Sequence, residues 1–163
     1  MEDFNEIVPH LFISNWDTSN NINFIQEKNI KAVITLEMSL KPAEIVRYYK
    51  MHNIDFIHIR INDSENEDIS KYFEDTFDFI REHLNKGENV LVHCAAGISR
   101  SATIIIHYII RTFFENNDLR NLDSMDILNY IVGRVRTIRL VNPNRGFSNQ
   151  LLSVIDSYKT MYV

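Results

Sequence analysis

The most chemically distinctive residues lie in one segment, 92–101, which reads VHCAAGISRS. It separates a strand-like run from a helix-like run. A loop at such a junction can point successive backbone N–H groups at one centre, in front of the positive end of the helix. This cradle would bind an anion, and Gly97 would supply the backbone freedom that a tight curve needs. Since helix N-termini and nearby cations lower the pKa of a thiol from about 8.5 to between about 3.5 and about 7.5, Cys94 is predicted to be a thiolate nucleophile.

Arg100 follows Cys94 by six residues and can fold back over the same centre. Its planar guanidinium can hold two oxygens of a phosphoryl group at once, which a lysine ammonium cannot do. A lone cysteine at the end of a strand is usually a small core residue. A cation at a helix N-terminus, however, interacts unfavourably with the helix dipole, so its presence there suggests a bound anion that compensates its charge. We therefore favour an anion site over a purely structural role.

Apolar, β-branched runs predict the strands that position this loop, and they cover residues 31–36, 55–61 and 89–93, with an earlier pair at 7–8 and 11–13. Apolar residues at helical spacing predict a helix over 68–85, with Gly87 as its stop signal. The run at 101–114 is rich enough in isoleucine for a strand, but its length favours a buried helix. Further helices are predicted over 123–135 and 147–161, with a short one within 22–29.

Strands that alternate with helices predict an α/β fold with a central, mostly parallel sheet flanked by helices. The chain has 163 residues, a length typical of one domain, and no repeat or Pro/Gly/Ser-rich linker interrupts it. Residues 1–163 are therefore expected to form a single domain.

The order His-Cys-x5-Arg-Ser resembles the signature of the cysteine-based protein tyrosine phosphatases, and HCAAGISRSA is most similar to the small, atypical dual-specificity branch. The flanking VLVHC and the downstream NPNRGFSNQL are similar to that branch as well, and the resemblance spans nearly the whole chain from IVPHLFISN onward. It implies a phosphotyrosine-phosphatase-like fold, with the phosphate loop between a buried strand and a helix. It also implies hydrolysis of phosphotyrosine, phosphoserine and phosphothreonine through a phosphocysteine intermediate, with no cofactor and no metal.

The resemblance assigns roles residue by residue. Cys94 matches the nucleophile and Arg100 the phosphate-binding arginine, while Ser101 would help the thiolate leave in the second step. His93 would support the thiolate, although a histidine at the end of a buried strand is often simply a core residue with its hydrogen bonds satisfied. The phosphate-binding loop would consist of Ala95, Ala96, Gly97, Ile98, Ser99 and Arg100.

The resemblance also implies a general acid on the loop after residues 55–61. Asp63 is our choice, with Asp68 as the alternative, although Asp68 better suits the start of the following helix. Asn144 matches the asparagine that braces the phosphate loop in this family, although it also suits ordinary turn chemistry beside Pro143.

Composition and charge exclude several classes of binding partner. The net charge of −5 and the absence of a basic block argue against nucleic acid. No stretch approaches the ~20 apolar residues that span a bilayer, and residues 1–10 resemble no signal peptide. The single cysteine, Cys94, and the lack of metal-ligand spacing among the histidines argue against disulfides and metal sites. We expect phosphorylated proteins as substrates, no membrane partner, and a cytoplasmic location, with the nucleus as an alternative.

Three other functions are compatible with the fold: a phosphoinositide phosphatase, an RNA 5′-phosphatase and a phospho-binding pseudophosphatase. The first two favour basic residues in or around the loop, whereas Ala95, Ala96, Ile98 and Ser99 are uncharged. The third typically lacks the cysteine, the arginine or the acid. Three arginines are candidates for the rim of the cleft, where they would favour acidic or doubly phosphorylated peptides, although each is equally compatible with an ordinary solvated arginine: Arg60, Arg139 and Arg145.

Overall fold

A five-stranded sheet forms the centre of the computed structural model, which describes residues 2–162. The strands are β1 (Phe4–Val8), β2 (Leu11–Ser14), β3 (Ile30–Leu36), β4 (Asp55–Ile59) and β5 (Asn89–His93). Their order across the sheet is β1-β2-β5-β3-β4. Only the β1–β2 pair is antiparallel, and β5 pairs in parallel with β2 on one side and β3 on the other. The predicted mostly parallel sheet is confirmed.

Helices cover both faces of this sheet. They are α1 (Trp16–Ser19), α2 (Ile22–Glu27), α3 (Ala43–Met51), α4 (Phe73–Asn85), α5 (Arg100–Asn116), α6 (Ser124–Arg136) and α7 (Arg145–Met161). Successive side chains of a strand point to opposite faces of the sheet, and the central strand β5 shows this alternation. In β5, Val90 and Val92 belong to the larger core with α4–α7, while Leu91 belongs to the smaller core with α2 and α3. Both faces are therefore apolar, as parallel strands require.

Several predicted elements are confirmed with shifted ends. The isoleucine-rich run is helical, as α5. Strand β4 ends at Ile59, so Arg60 and Ile61 belong to the following loop. The helix predicted to start at residue 68 begins as a 3₁₀ turn over Ser70–Tyr72 before α4. The N–H groups of Ile69 and Ser70 donate to the side chain of Gln150, which satisfies two donors at this helix start.

The sequence prediction missed α1 and α3. Helix α3 has Pro42 as its N-cap and no side-chain cap, so the usual start signal is missing. Helix α7 begins two residues earlier than predicted, since Asn144 caps it and Arg145 and Gly146 belong to its first turn. Among residues 2–162, no helix is long and apolar enough to cross a membrane.

Candidate active site

The segment from Cys94 to Ser99 forms a loop between the end of β5 and the start of α5, and every one of its carbonyl groups is hydrogen-bonded to a residue outside this segment. Six contacts hold them: Cys94 O to His93 Nδ1 (3.3 Å), Ala95 O to Trp16 N (2.9 Å), Ala96 O to Arg139 Nη2 (3.1 Å), Gly97 O to Arg139 Nε (2.8 Å), Ile98 O to Asn142 N (2.8 Å) and Ser99 O to Thr103 N (2.9 Å). In a planar trans peptide the C=O and the next N–H point in opposite directions. With the carbonyls held outward, the amides of residues 95–100 turn inward, and this arrangement suits an anion.

Gly97 is the tightest point of this loop. Its φ of +68° lies in the left-handed region, and a Cβ atom built on it would stand 2.6 Å from Ser14 O and 2.7 Å from Arg139 Nη2. Contacts below 3.0 Å force a shift, and the Ser14 oxygen belongs to the backbone of β2. Residue 97 must therefore be glycine for both conformational and steric reasons.

Cys94 lies at the floor of the loop, with only 2% of its surface exposed. The Gly97 N–H donates to Sγ at 3.3 Å, and Ser101 Oγ lies 3.1 Å from Sγ. Burial raises the pKa of the Cys94 thiol, but hydrogen bonds from Ser101 and Gly97 and the charge of Arg100 lower it, and the net direction of the pKa is downward. The loop therefore favours the thiolate.

Arg100 is buried and held by groups outside the loop. Its Nη1 donates to Ile61 O at 2.9 Å and to Glu37 Oε1 at 3.2 Å, and its Nη2 donates to Glu37 Oε2 at 3.1 Å. Nη1 thus uses both of its protons, whereas Nη2 keeps one proton and Nε has no partner among residues 2–162. The edge formed by Nε and Nη2 remains available for two oxygens of one anion.

His93 is fully buried and contacts the backbone of Cys94 through Nδ1. Its Nε2 atom lies 2.7 Å from Thr35 Oγ1 and 3.2 Å from Lys41 Nζ. Burial and the charge of Lys41 lower the pKa of His93 well below its usual value. The imidazole is therefore neutral at physiological pH.

Asp63 lies at the mouth of the site and is joined to the loop through a small polar network. Its Oδ1 accepts from Ser99 Oγ at 2.7 Å and from Asn144 Nδ2 at 2.8 Å. The backbone N–H of Asn144 donates to Ser99 Oγ at 3.0 Å, and Asn144 Oδ1 accepts from Phe147 N as the cap of α7. The carboxylate of Asp68 instead accepts from Ser70 at the start of the 3₁₀ turn. The structure thus brings Asp63, and not Asp68, to the phosphate loop.

Of the three rim arginines, Arg139 lies elsewhere than predicted. It is buried, and besides the carbonyls of Ala96 and Gly97 it binds Asp3 Oδ1 at 2.8 Å and Asn5 Oδ1 at 3.0 Å. These contacts occupy all three guanidinium nitrogens, so Arg139 supports the loop from behind. Arg60 and Arg145 are exposed.

Sequence reasoning also missed Glu37, Lys41, Gly146 and Gln150. Gln150 clamps the far end of the Asp63 loop, since its Nε2 donates to Glu67 O at 2.8 Å while its Oε1 accepts from the N–H groups of residues 69 and 70. The only available signal was the NPNRGFSNQL segment, which contains Gly146 and Gln150. Among residues 2–162, no group of three or more His, Cys, Asp or Glu is placed to hold a metal ion.

Comparison with known proteins identifies the class to which this fold and site belong. Residues 11–156 match the family described as "Dual specificity phosphatase, catalytic domain". The chain is 31% identical over 147 residues to "Dual specificity protein phosphatase 22" of Xenopus tropicalis, covering 90% of this chain and 62% of the relative. It is 33% identical over 151 residues to "Tyrosine-protein phosphatase yvh1" of Schizosaccharomyces pombe, covering 93% and 41%. The chain thus spans less than two thirds of the length of these curated relatives.

Solved structures of related proteins have the same fold as this chain. The Yvh1 phosphatase domain from Chaetomium thermophilum has a TM-score of 0.80 and 28% identity, with 94% of this chain and 96% of that chain covered. A human tyrosine phosphatase-like serine/threonine/tyrosine-interacting protein has a TM-score of 0.76 and 27% identity, with 97% and 99% covered. The chain belongs to the dual-specificity phosphatase family, and its phosphotyrosine-phosphatase-like α/β fold is confirmed.

Proposed function

We propose that this chain is a cysteine-dependent protein phosphatase that hydrolyses phosphotyrosine and phosphoserine or phosphothreonine in proteins. The observation that carries the proposal is that residues outside the loop bind all six carbonyls from Cys94 to Ser99. Since C=O and the next N–H point in opposite directions, the loop amides face the other side, where the Gly97 N–H contacts Cys94 Sγ. Preorganised donors of this kind stabilise the charge that develops on a transferring phosphoryl group. Family membership supports the same chemistry.

In the first step, the Cys94 thiolate attacks phosphorus and the bond from phosphorus to the substrate oxygen breaks. Asp63 donates a proton to the departing oxygen. Among residues 2–162, both side-chain donors to Asp63 contact Oδ1, which leaves Oδ2 available to carry that proton. The free Nε–Nη2 edge of Arg100 would bind two phosphoryl oxygens in the ground state and the transition state.

In the second step, Asp63, now a carboxylate, removes a proton from a water molecule that attacks phosphorus. The phosphorus–sulfur bond breaks, phosphate departs and the thiolate returns. Ser101 Oγ, 3.1 Å from Sγ, is placed to donate a hydrogen bond to that thiolate.

A phospho-binding module is the second candidate, since one solved structure of similar fold is that of a human tyrosine phosphatase-like serine/threonine/tyrosine-interacting protein. The lowered pKa of Cys94 favours the enzyme, because binding alone needs no thiolate. Phosphoinositides and RNA 5′-phosphates are disfavoured by the uncharged side chains of residues 95, 96, 98 and 99 and by the net charge of −5.

The deciding experiment measures kcat/KM in one buffer for phosphotyrosine peptides, phosphothreonine peptides, phosphatidylinositol phosphates and RNA triphosphate. We expect the two peptide classes to be turned over far faster than the other two. Cys94→Ser is the matched control, because it keeps the loop amides but replaces the thiolate with a much weaker nucleophile. Binding without turnover by the unchanged chain would identify a phospho-binding module. Faster turnover of the lipid or the RNA than of the peptides would show that phosphoproteins are not the preferred substrates.

We further propose that residues 1–163 act as one catalytic domain in signalling, in the cytoplasm or the nucleus. A single unpaired cysteine that must stay reduced to react supports a reducing compartment. Microscopy of the full-length protein carrying a fluorescent tag would test the location, and recovery of the tagged protein in a secreted fraction would contradict it.

A further inference from the structure

Lys41 is the only buried lysine among residues 2–162, with 8% of its surface exposed, and its amino group is surrounded by acceptors. Nζ lies 2.9 Å from Ser19 Oγ, 2.5 Å from Asn20 Oδ1 and 3.2 Å from His93 Nε2. Ser19 gives its own hydroxyl proton to Trp16 O, so its oxygen accepts from Lys41. Three acceptors thus face a group that, as an ammonium, has three protons.

This arrangement determines which nitrogen of His93 carries the proton. The neutral imidazole has a single N–H, and an ammonium can only donate. Nε2 faces Lys41 Nζ, so whenever Lys41 is an ammonium Nε2 must accept and the proton must lie on Nδ1. The Thr35 hydroxyl, 2.7 Å from Nε2, can donate or accept and does not decide between the two tautomers. With the proton on Nδ1, His93 donates to Cys94 O at 3.3 Å.

Lys41 also anchors the second element that holds the loop. Besides its bonds to Ser19 and Asn20, its Nζ lies 5.0 Å from the centroid of the Trp16 ring, at cation–π distance. The backbone N–H of Trp16 donates to Ala95 O at 2.9 Å. Lys41 therefore joins the two groups, His93 and α1, that bind the first two carbonyls of the phosphate loop.

We propose that Lys41 is a positioning residue for the phosphate loop: its ammonium group sets the Nδ1-protonated tautomer of His93 and anchors α1, so that the carbonyls of Cys94 and Ala95 face away from the anion centre. The proposal rests on the proposed function for the identity of the anion as a phosphoryl group. The loop geometry itself is independent of the substrate. The two experiments below therefore use readouts that require no turnover.

The first experiment reads the His93 tautomer by two-bond nitrogen–proton correlation spectra of protein labelled at the imidazole nitrogens. Burial lowers the pKa of Lys41 to about 7, so the spectra are recorded at about pH 6, where the ammonium form predominates. We expect the Nδ1-protonated form in the unchanged protein and in Thr35→Val, which keeps only Lys41 at Nε2. We expect Lys41→Met to populate the Nε2-protonated form, because Thr35 can then accept. An Nε2 proton in the unchanged protein, or a switch in Thr35→Val, would overturn the proposal.

The second experiment follows alkylation of Cys94 by iodoacetamide as a function of pH. Lys41→Met removes the ammonium group that anchors His93 and α1 against the loop. The apparent pKa of Cys94 should therefore rise by up to about one unit, the equivalent of one hydrogen bond. Lys50→Met, which removes an exposed lysine of α3, should leave the pKa unchanged. An unchanged pKa in a folded Lys41→Met would refute the positioning role. If Lys41→Met does not fold, the spectra of the unchanged protein and Thr35→Val decide. Inactivity toward every phosphorylated substrate would refute the proposed function alone.

Discussion

Gly146 provides a sharp test of how the Asp63 loop is placed, because a single methyl group at this position collides with that loop. A Cβ atom at residue 146 would lie 2.1 Å from Glu65 O and 2.7 Å from the Glu65 carbonyl carbon. Real Cβ atoms essentially never approach below 3.0 Å, so Gly146→Ala must separate the loop and the start of α7 by 0.9 Å (3.0 − 2.1) or more. The Asn144–Asp63 hydrogen bond of 2.8 Å spans the same boundary and would be stretched or broken.

A misplacement of about 1 Å in a catalytic group can cost about 10²-fold in rate. We therefore expect Gly146→Ala to lower kcat about 10²-fold on a phosphothreonine peptide, whose leaving oxygen needs a proton. The loss should be less than about 10-fold on p-nitrophenyl phosphate, whose leaving group needs little protonation. Asp63→Asn should show the same dependence on the leaving group. The double variant should be little worse than Asp63→Asn alone, since both changes act on one group.

Gly133→Ala is the matched control. Gly133 is exposed in α6, and a Cβ atom there meets nothing within 4 Å. Alanine should stabilise this helix by roughly 0.5 to 1 kcal/mol and leave both rates unchanged. Full activity of Gly146→Ala on the phosphothreonine peptide would show that residue 146 does not place the Asp63 loop. Equal losses on both substrates in a folded variant would contradict this role of residue 146 as well.

Three further predictions concern the acid, the pH dependence of folding and oxidation. Asp63→Asn should lower kcat on phosphothreonine peptides by ~10² to ~10⁴ and Asp68→Asn should not; the reverse order would identify Asp68 as the acid. Burial lowers the pKa of His107 to about 3. Below about pH 6.5 the unfolded chain therefore binds a proton at this residue that the folded chain does not bind, and the free energy of unfolding decreases as the pH falls to about 3. Urea unfolding should give a free energy of unfolding that is about 2 kcal/mol lower at about pH 5 than at neutral pH, and His107→Gln should remove this loss. Some decrease with acid should remain in that variant, because the pKa of His93 is lowered as well. Peroxide should inactivate the chain through a sulfenic acid at Cys94, with thiol rescue declining as sulfinic acid accumulates, because no second cysteine is present in these 163 residues; full rescue after long exposure would contradict this.

Much of the fold was determined by local sequence. Short apolar, β-branched runs gave β3 and β5 with nearly correct ends, because both faces of these strands are buried. The helical period gave α4, α6 and α7 for a related reason, since each buries one stripe of side chains. Helix α3 was missed because its N-terminus lacks a side-chain cap.

The sequence alone determined the centre of the candidate site as well. Cys94, Gly97 and Arg100 lie within seven consecutive residues, so the strand-to-helix turn that contains them brings them together without help from distant parts of the chain. Asp63 and Asn144 lie far from that segment in sequence. They were found through family resemblance, and the structure places both beside Ser99.

Only the tertiary structure decided how the loop is held. Glu37 orients Arg100 from 63 positions away, and Lys41 reaches His93 across 52 positions. Arg139 binds the carbonyls of Ala96 and Gly97 across 43 and 42 positions. Each is an ordinary charged residue in sequence, and no spacing distinguishes it from the solvated charges around it. Its role depends on burial and on the direction of single hydrogen bonds, and packing of the sheet, α1 and the segment before α7 fixes both.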